Sequence, residues 1–136
     1  MVDLERAVSG IEFPAMRHEV LLTLASLADP DYQRRAWLNG EFEREGIYED
    51  FSLAVNILYD DTAVLPDPGP AVGWVVFEGE VASLRALSLS LTPLIDQLGD
   101  SPDGVYLEAA EWPTVVDAAA VALATMVRHG SLEDRG

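Results

Sequence analysis

The 136-residue chain contains no cysteine and no lysine. The lack of cysteine excludes disulfides, thiolate metal sites, iron–sulfur clusters and cysteine nucleophiles. The lack of lysine excludes the Walker A phosphate loop, Schiff-base chemistry and serine–lysine dyads. The Gly-x-Ser-x-Gly elbow of serine hydrolases and the HExxH pair of zinc proteases are missing too. We therefore expect no catalytic residue, no cofactor and no metal.

Basic residues are scarce, because 24 Asp and Glu accompany only 8 Arg and the formal net charge is -16. From Glu45 to Val127, fourteen acidic residues accompany a single arginine, Arg85. Such a field repels nucleic acid and anionic membranes and attracts basic partners. We expect a basic protein as the partner and no direct binding to nucleic acid or membranes. The alternative is that the charge serves only solubility.

Long apolar runs are also absent, and none approaches the length that crosses a membrane. The N-terminus lacks the basic and apolar regions of a secretory signal. The sequence therefore predicts a cytoplasmic protein. Hydrophobic residues make up 49% of the chain, enough for one core, and no linker divides it. We expect a single domain over residues 1–136, with loose ends at 1–12 and 131–136.

Helix signals recur along the chain. Pro14 suits the first position of a helix, and the pair at 29–30 stops that helix and caps the next. A later helix carries Pro93, which should kink it, and ends at Gly99. Pro113 begins the last helix, which is rich in alanine. The apolar side of that helix is expected to carry Val116, Ala119, Ala120, Leu123, Met126 and Val127. These signals predict a mostly all-α domain of about five or six helices.

Residues 51–59 fit two secondary structures, since their apolar positions match both a helical stripe and the alternation of a strand. Glu49 and Asp50 precede them, and acidic residues favour the start of a helix. We therefore favour a helix. The alternative is an α+β fold in which 51–58 and 72–77 pair as two short strands.

The best local group of functional side chains lies around a proline-rich loop after residue 58. Adjacent carboxylates there suit a basic side chain or a hard cation, although the spacing of an EF-hand is missing. Aromatic anchors near such charges are typical of protein interfaces. We expect the partner-binding residues to be Tyr59, Asp60, Asp61, Asp67 and Trp74. The acidic stretch from Asp96 to Asp117 is a second candidate surface.

Two other functions stay open from the sequence. One is a small metal-dependent or enzymatic protein that uses Asp60 and Asp61. The other is a homo-oligomeric regulatory module in which the alanine-rich last helix packs against a second copy. A basic and aromatic cluster at 32–37 also suits RNA or phosphate, but local pairing of Asp31 with Arg35 is the favoured interpretation.

Four motifs occur in series: SLADPDYQRRAW at 26–37, ILYDDT at 57–62, VGW at 72–74 and EWPTVV at 111–116. In these the chain resembles a family of small acidic actinobacterial proteins of uncharacterised function, over about residues 14–127. The resemblance implies one small domain and a bacterial cytoplasmic origin, and it supplies no catalytic residue. In composition the chain is also similar to bacterial immunity proteins that neutralise basic toxins. We therefore expect a non-enzymatic, immunity-like binding protein.

Overall fold

A computed structural model describes residues 10–41 and 49–129. Within those ranges the chain forms six α-helices and no β-strand: α1 (Pro14–Leu27), α2 (Pro30–Tyr32), α3 (Phe51–Val55), α4 (Val81–Leu98), α5 (Asp103–Leu107) and α6 (Trp112–His129). Two of them continue as π-helical turns, α2 through Gln33–Leu38 and α3 through Asn56–Asp61. Short 3-10 turns lie at Gly69–Ala71 and Glu78–Glu80. The prediction of a mostly helical domain is confirmed.

Local capping explains where the early helices begin. Pro14 is the first residue of α1, as its fixed φ favours. The Asp29 carboxylate accepts a hydrogen bond from the Tyr32 N–H at 3.1 Å and caps α2. Asp50 likewise accepts from the Leu53 N–H at 2.9 Å and caps α3. Each cap satisfies a backbone donor that the first turn leaves unpaired, and the Asp50 cap accounts for a helix at 51–55.

The apolar run at 72–77 forms a loop, so the α+β alternative is wrong for the described residues. Its one β-type contact is an isolated parallel bridge between Val72 and Val76. Val75 and Val76 are 2% and 0% exposed, so the loop itself enters the core. Burial of a loop explains a hydrophobic run that resembles a strand.

Helix α6 packs against both α1 and α4, and these three helices carry much of the core. The expected apolar face of α6 included Ala120 and Val127, but both side chains are exposed. Val115 and Ala122 are buried instead, each with no exposed area. The buried stripe is therefore rotated slightly from the predicted one, because alanine and valine occupy nearly every side of this helix.

Four aromatic side chains, Trp37, Phe51, Tyr106 and Trp112, form an aromatic cluster between α2, α3, α5 and α6. The Phe51 ring stacks on Tyr106 with centroids 4.0 Å apart and meets Trp112 edge-on at 5.8 Å. Trp37 contacts Phe51 and Trp112 edge-on at 6.3 and 6.4 Å. All four side chains are buried. Such contacts join the short helices to the longer ones.

Two local expectations are corrected or refined by the structure. Asp31 pairs with Arg34, three residues further along the helix, at 2.7 Å, and the predicted pairing with Arg35 is wrong. Pro93 lies inside α4, which runs from Val81 to Leu98 without interruption. Pro93 is exposed, and so is Leu89 four residues earlier, at 75% of its area. Water can therefore satisfy the carbonyl that a proline leaves without its donor.

The ends of the chain lie mostly outside the described residues. In the part of 1–12 that is described, Ile11 is 4% exposed, and the Glu12 N–H donates to the Gly73 carbonyl at 3.0 Å. Across 10–41 and 49–129, none of the helices combines the length and the apolar composition needed to cross a membrane.

Replacing Asp103 with asparagine is expected to stabilise the protein at pH 7. Burial is the main cause that raises the pKa of Asp103, and the charge of Asp50 raises it further, against the hydrogen bond from the Phe51 N–H. A carboxyl whose folded pKa is raised lowers stability above that pKa and has no effect below its unfolded value of about 3.9. Asparagine keeps an oxygen for the Phe51 N–H and carries no charge.

Urea unfolding of the Asp103→Asn variant across pH checks this expectation. Its advantage over the parent chain should be largest at neutral pH and should disappear below about pH 3.9. Asp117→Asn, an exposed site on α6, is the matched control and should not show that trend. An Asp103→Asn advantage that is equal at pH 3 and pH 7 would reject the burial argument.

Candidate functional site

Tyr59, Asp60 and Asp61 lie in the π-helical turn that follows α3. The Tyr59 hydroxyl shares a hydrogen bond with Thr92 Oγ1 of α4 at 2.7 Å, and its ring packs partly against the core. Burial raises the pKa of Tyr59, the hydrogen bond opposes that, and the charge of Asp96 adds to it. The phenol therefore stays neutral at pH 7. Asp60 and Asp61 are exposed and available to a partner.

Asp67 lies in the following loop and is already paired. Its Oδ1 accepts from Arg85 of α4 at 2.8 Å and from the Gly69 N–H at 3.1 Å. The bond from Arg85 is the main cause that holds the pKa of Asp67 below its usual value. Arg85 and Thr92 are seven residues apart, about 10 Å along α4. Tyr59 and Asp67 are thus fixed to one side of α4 at separate points.

Trp74 forms an exposed aromatic stack with Phe13, the residue before α1. The ring centroids are 5.6 Å apart and the rings are nearly parallel, at 21°. Trp74 is 51% exposed and Phe13 is 44% exposed. A stacked pair with half of each ring in water is a concentrated apolar surface of the kind that interfaces use as an anchor.

The loop that carries Trp74 is held by its own backbone. The Ala71 carbonyl accepts from the N–H groups of three successive residues, 74, 75 and 76, at 2.9 to 3.2 Å. The Phe13 N–H donates to the Trp74 carbonyl at 2.8 Å, which joins the two halves of the stack. Gly73 has φ +86, a value that side chains rarely allow. Trp74 is therefore presented from a well-bonded turn.

The second candidate surface, from Asp96 to Asp117, is exposed at five of its six carboxylates. These are Asp96, Asp100, Glu108, Glu111 and Asp117. The sixth, Asp103, is half-buried and accepts from the Phe51 N–H. No salt bridge occupies any of them within the described ranges. In residues 10–41 and 49–129, no three His, Asp or Glu side chains are grouped so that they could hold a metal ion.

Beneath these surfaces lies a buried ion pair that the sequence analysis missed. Arg17 of α1 and Glu80, just before α4, form a two-pronged salt bridge at 2.8 and 2.7 Å, and neither side chain has exposed area. Arg17 also donates to the carbonyls of Val75 and Met126 at 3.2 and 3.1 Å. Its guanidinium lies 4.8 Å above the centre of the Phe77 ring.

The Glu80 carboxylate is satisfied on both oxygens. Besides Arg17, Oε1 accepts from the Phe77 N–H at 2.9 Å, and Oε2 lies 3.1 Å from His129 Nδ1 at the end of α6. The His129 ring packs over Gly79, where an added Cβ would lie 2.9 Å from its Cε1. This ion-pair cluster joins α1, the 75–77 loop, the start of α4 and the end of α6. Arg17 and Glu80 are fully buried and paired with each other, so their charges hold these segments together.

A comparison with protein families matches residues 11–135 to the family described as Domain of unknown function (DUF7945). The chain belongs to this family. Searches of curated proteins and of solved structures found no match. The family match bears out an uncharacterised family over most of the chain.

In this member of DUF7945, a signal for the ion pair was present in the sequence. Arg17 lies three, four and seven residues before Val20, Leu21 and Leu24, on the face of α1 that is buried. Glu80 lies four and seven residues before Leu84 and Leu87 of α4. Opposite charges that each continue an apolar stripe indicate a buried pair, because a lone buried charge is costly.

Proposed function

We propose that this protein is a non-enzymatic acidic binding protein that sequesters or regulates a basic protein, in the manner of an immunity protein. The observation that carries the proposal is the exposed Phe13–Trp74 stack on a rigid turn. Large aromatic rings contribute most to interfaces when they are held in place and lose water on binding. An isolated monomer gains no free energy from leaving two such rings half in water. A binding surface gains that free energy when a partner covers the rings.

The charge of the chain supports a basic partner. Exposed carboxylates lie on the two candidate surfaces. Two more are close to the stack in sequence: Glu12 precedes Phe13, and Glu78 follows the 72–77 loop that carries Trp74. Complementary charge accelerates the encounter, and the aromatic anchor then slows dissociation. The expected partner-binding residues remain Asp60, Asp61 and Trp74, with Tyr59 and Asp67 in support through their contacts to α4. Asp67 must share its charge between Arg85 and the partner.

Trp74→Ala is expected to weaken partner binding by at least about thirtyfold, as loss of an interface hot spot does. The full chain is used at low salt to capture its partner from a lysate of the source organism, and the partner is identified and purified. Association and dissociation rates are then measured by stopped flow. Leu89→Ala, which removes an exposed apolar side chain from α4, is the matched control and should leave both rates unchanged.

Salt separates steering from anchoring in the same experiment. The association rate should fall at least about tenfold between 20 and 500 mM NaCl, and Trp74→Ala should act mainly on dissociation. An association rate that does not depend on salt rejects the electrostatic part. Equal effects of Trp74→Ala and Leu89→Ala reject the anchor.

The proposal also includes a cytoplasmic location and an actinobacterial origin. Both rest on the sequence and on its resemblance to a family of small acidic actinobacterial proteins. The homo-oligomeric alternative stays a prediction too, and light scattering of the purified chain at high concentration tests it. A stable dimer that buries Trp74 would replace the foreign partner with a second copy.

A further inference from the structure

A groove of about 150 Å³ lies between α1, α3 and the π-helical turn of α2. That volume holds about five water molecules, or one amino-acid side chain. Its apolar lining includes Leu22 of α1, Leu53 of α3 and Ile57 of the second π-helical turn. Leu22 and Leu53 are 54% and 37% exposed, so the groove presents apolar area to its occupant. π-Helical turns contribute to two of its walls, and such turns are frequent at functional sites.

Trp37 also lines this groove and carries an unpaired polar group. The side chain is 8% exposed, and its Nε1–H has no hydrogen-bond acceptor among the described residues. A buried donor without an acceptor is unusual and costs stability in the unoccupied protein. The Nε1 atom itself has almost no exposed area, so an occupant of the groove can contact only other atoms of the Trp37 ring.

Among the described residues, the charged side chains that line the groove are all acidic: Glu19, Glu49 and Asp50. Both hydrogen bonds of Glu49, from Tyr32 and Ser26, use its Oε1. Burial and the bond to Glu49 raise the pKa of Tyr32, so that phenol remains a donor at pH 7. Among the described residues, Glu49 Oε2 accepts no hydrogen bond and the exposed Glu19 forms no salt bridge. The groove therefore suits a cation.

We propose that this groove binds a basic peptide segment of the partner. An apolar side chain of the segment packs on Leu22, Leu53 and Ile57, and a neighbouring Arg or Lys pairs with Glu19 and Glu49. The same apolar side chain packs against the edge of the Trp37 ring. A peptide is the ligand class that supplies apolar and cationic groups within one side-chain spacing. This inference rests on the proposed function, because it names how the basic partner is recognised.

The three indole N–H groups of the chain provide separate reporters for the test. Trp37 lines the groove, Trp74 belongs to the exposed stack, and Trp112 donates to the buried Gln33 Oε1 at 3.0 Å. ¹H–¹⁵N spectra of the full chain are recorded while an acetylated, amidated pentapeptide of alternating leucine and arginine is added. The Trp37 indole signal should shift and saturate, because the bound peptide packs against its ring. The Trp112 signal should not move.

Variants at the rim decide whether the groove is the site. Leu22→Ser should raise the Kd of the peptide about tenfold, and Glu19→Gln at least about threefold. The matched controls are Leu89→Ser and Glu108→Gln, which change exposed residues away from the groove and should leave the Kd unchanged. All four sites are exposed, so the variants should fold. The same pentapeptide with glutamate in place of arginine should not bind.

Several results would overturn the inference. One is a Trp37 signal that does not move at millimolar peptide, and another is an equal loss of affinity in Leu89→Ser. A third is a Trp37 shift that appears on raising the protein concentration alone, since the occupant would then be a second copy. A shift of Trp74 without Trp37 rejects the groove and keeps the proposed function. A shift of Trp37 without Trp74 supports the groove and does not bear on the aromatic anchor, because neither Phe13 nor Trp74 lines the groove.

Discussion

The Arg17→Met variant is expected to lose about 3–5 kcal/mol of its free energy of unfolding, because it leaves the Glu80 carboxylate buried without its main partner. Glu80→Leu should lose a similar amount. It strands the guanidinium in the core and also removes the acceptor of the Phe77 N–H. Total stability in a domain of this size is on the order of 5–15 kcal/mol, so either variant is near the limit of folding.

The double variant Arg17→Met/Glu80→Leu should be far more stable than the sum of the two losses predicts. Without either charge, no ion remains buried, and two apolar side chains of similar reach fill the space. Some loss remains, since the carbonyls of Val75 and Met126 and the Phe77 N–H lose their side-chain partners. Urea unfolding of the four proteins gives the coupling energy, which we expect to be about 3 kcal/mol or more.

An exposed ion pair provides the matched control for this cycle. Arg85 and Asp67 are 2.8 Å apart, and their side chains are 52% and 63% exposed. Replacing them with methionine and asparagine should change stability little, singly or together, because water solvates the charge that remains. Additive effects of Arg17→Met and Glu80→Leu would mean that the two charges stabilise the fold independently, contrary to the geometry.

The ion pair also shows where sequence reasoning stopped. Arg and Glu are rarely fully buried, so a pattern of apolar residues in α1 and α4 does not include Arg17 and Glu80. His129 lies near the C-terminus in sequence, yet its Nδ1 lies 3.1 Å from Glu80 Oε2. Contacts between residues 63 and 49 positions apart depend on the packing of three helices. Local patterns carry no information on which long-range partners meet.

Helix starts were predictable because their causes are local. A proline at Pro14 and an aspartate before Pro30 act within one turn, and the structure places α1 and α2 where they indicate. Residues 51–59 were ambiguous because their apolar positions fit two periods. In the structure a helix starts there. Asp50 caps its first turn, and Phe51 packs on Tyr106. Residues 72–76 resemble a strand, but the turn around Gly73 buries them as a loop.

The partner-binding residues stay a prediction, and the structure adds only how they are placed. Trp74 is exposed, and it stacks on Phe13, which the sequence did not indicate. The groove could not be foreseen either, since its walls come from three segments and its unpaired donor is visible only in the packed structure. Exposure and hydrogen-bond satisfaction are properties of the whole fold, and no sequence period encodes them.

Replacing Phe51 with alanine is expected to lower the free energy of unfolding by about 3–5 kcal/mol. The ring is 5% exposed and contacts the other three members of the aromatic cluster. It lies at the start of α3 and joins α2, α5 and α6, so its removal loosens the short helices at once. The loss therefore combines transfer of the ring to water with a cavity that three rigid neighbours cannot collapse to fill.

Phe51→Leu separates the two parts of this effect. Leucine keeps most of the apolar burial but loses the stack on Tyr106 and the edge contacts, each worth about 0.5–1.5 kcal/mol. We expect an intermediate loss of about 1–3 kcal/mol, measured by urea unfolding, with a smaller near-ultraviolet circular dichroism signal from the cluster. Leu53→Ala, on the same helix but partly exposed, is the control and should lose less than Phe51→Leu.

A small loss of stability in Phe51→Ala would show that other contacts hold the short helices in place. If Phe51→Ala lowered stability no more than Leu53→Ala, the aromatic cluster would not hold α3 and α5 in place. Their attachment would then depend on polar contacts, such as the hydrogen bond from the Phe51 N–H to Asp103 at 3.1 Å. Asp103→Ala in the Phe51→Ala background would then cause the larger loss. Because that bond is partly exposed and worth only about 1–2 kcal/mol, we expect the aromatic contacts to dominate.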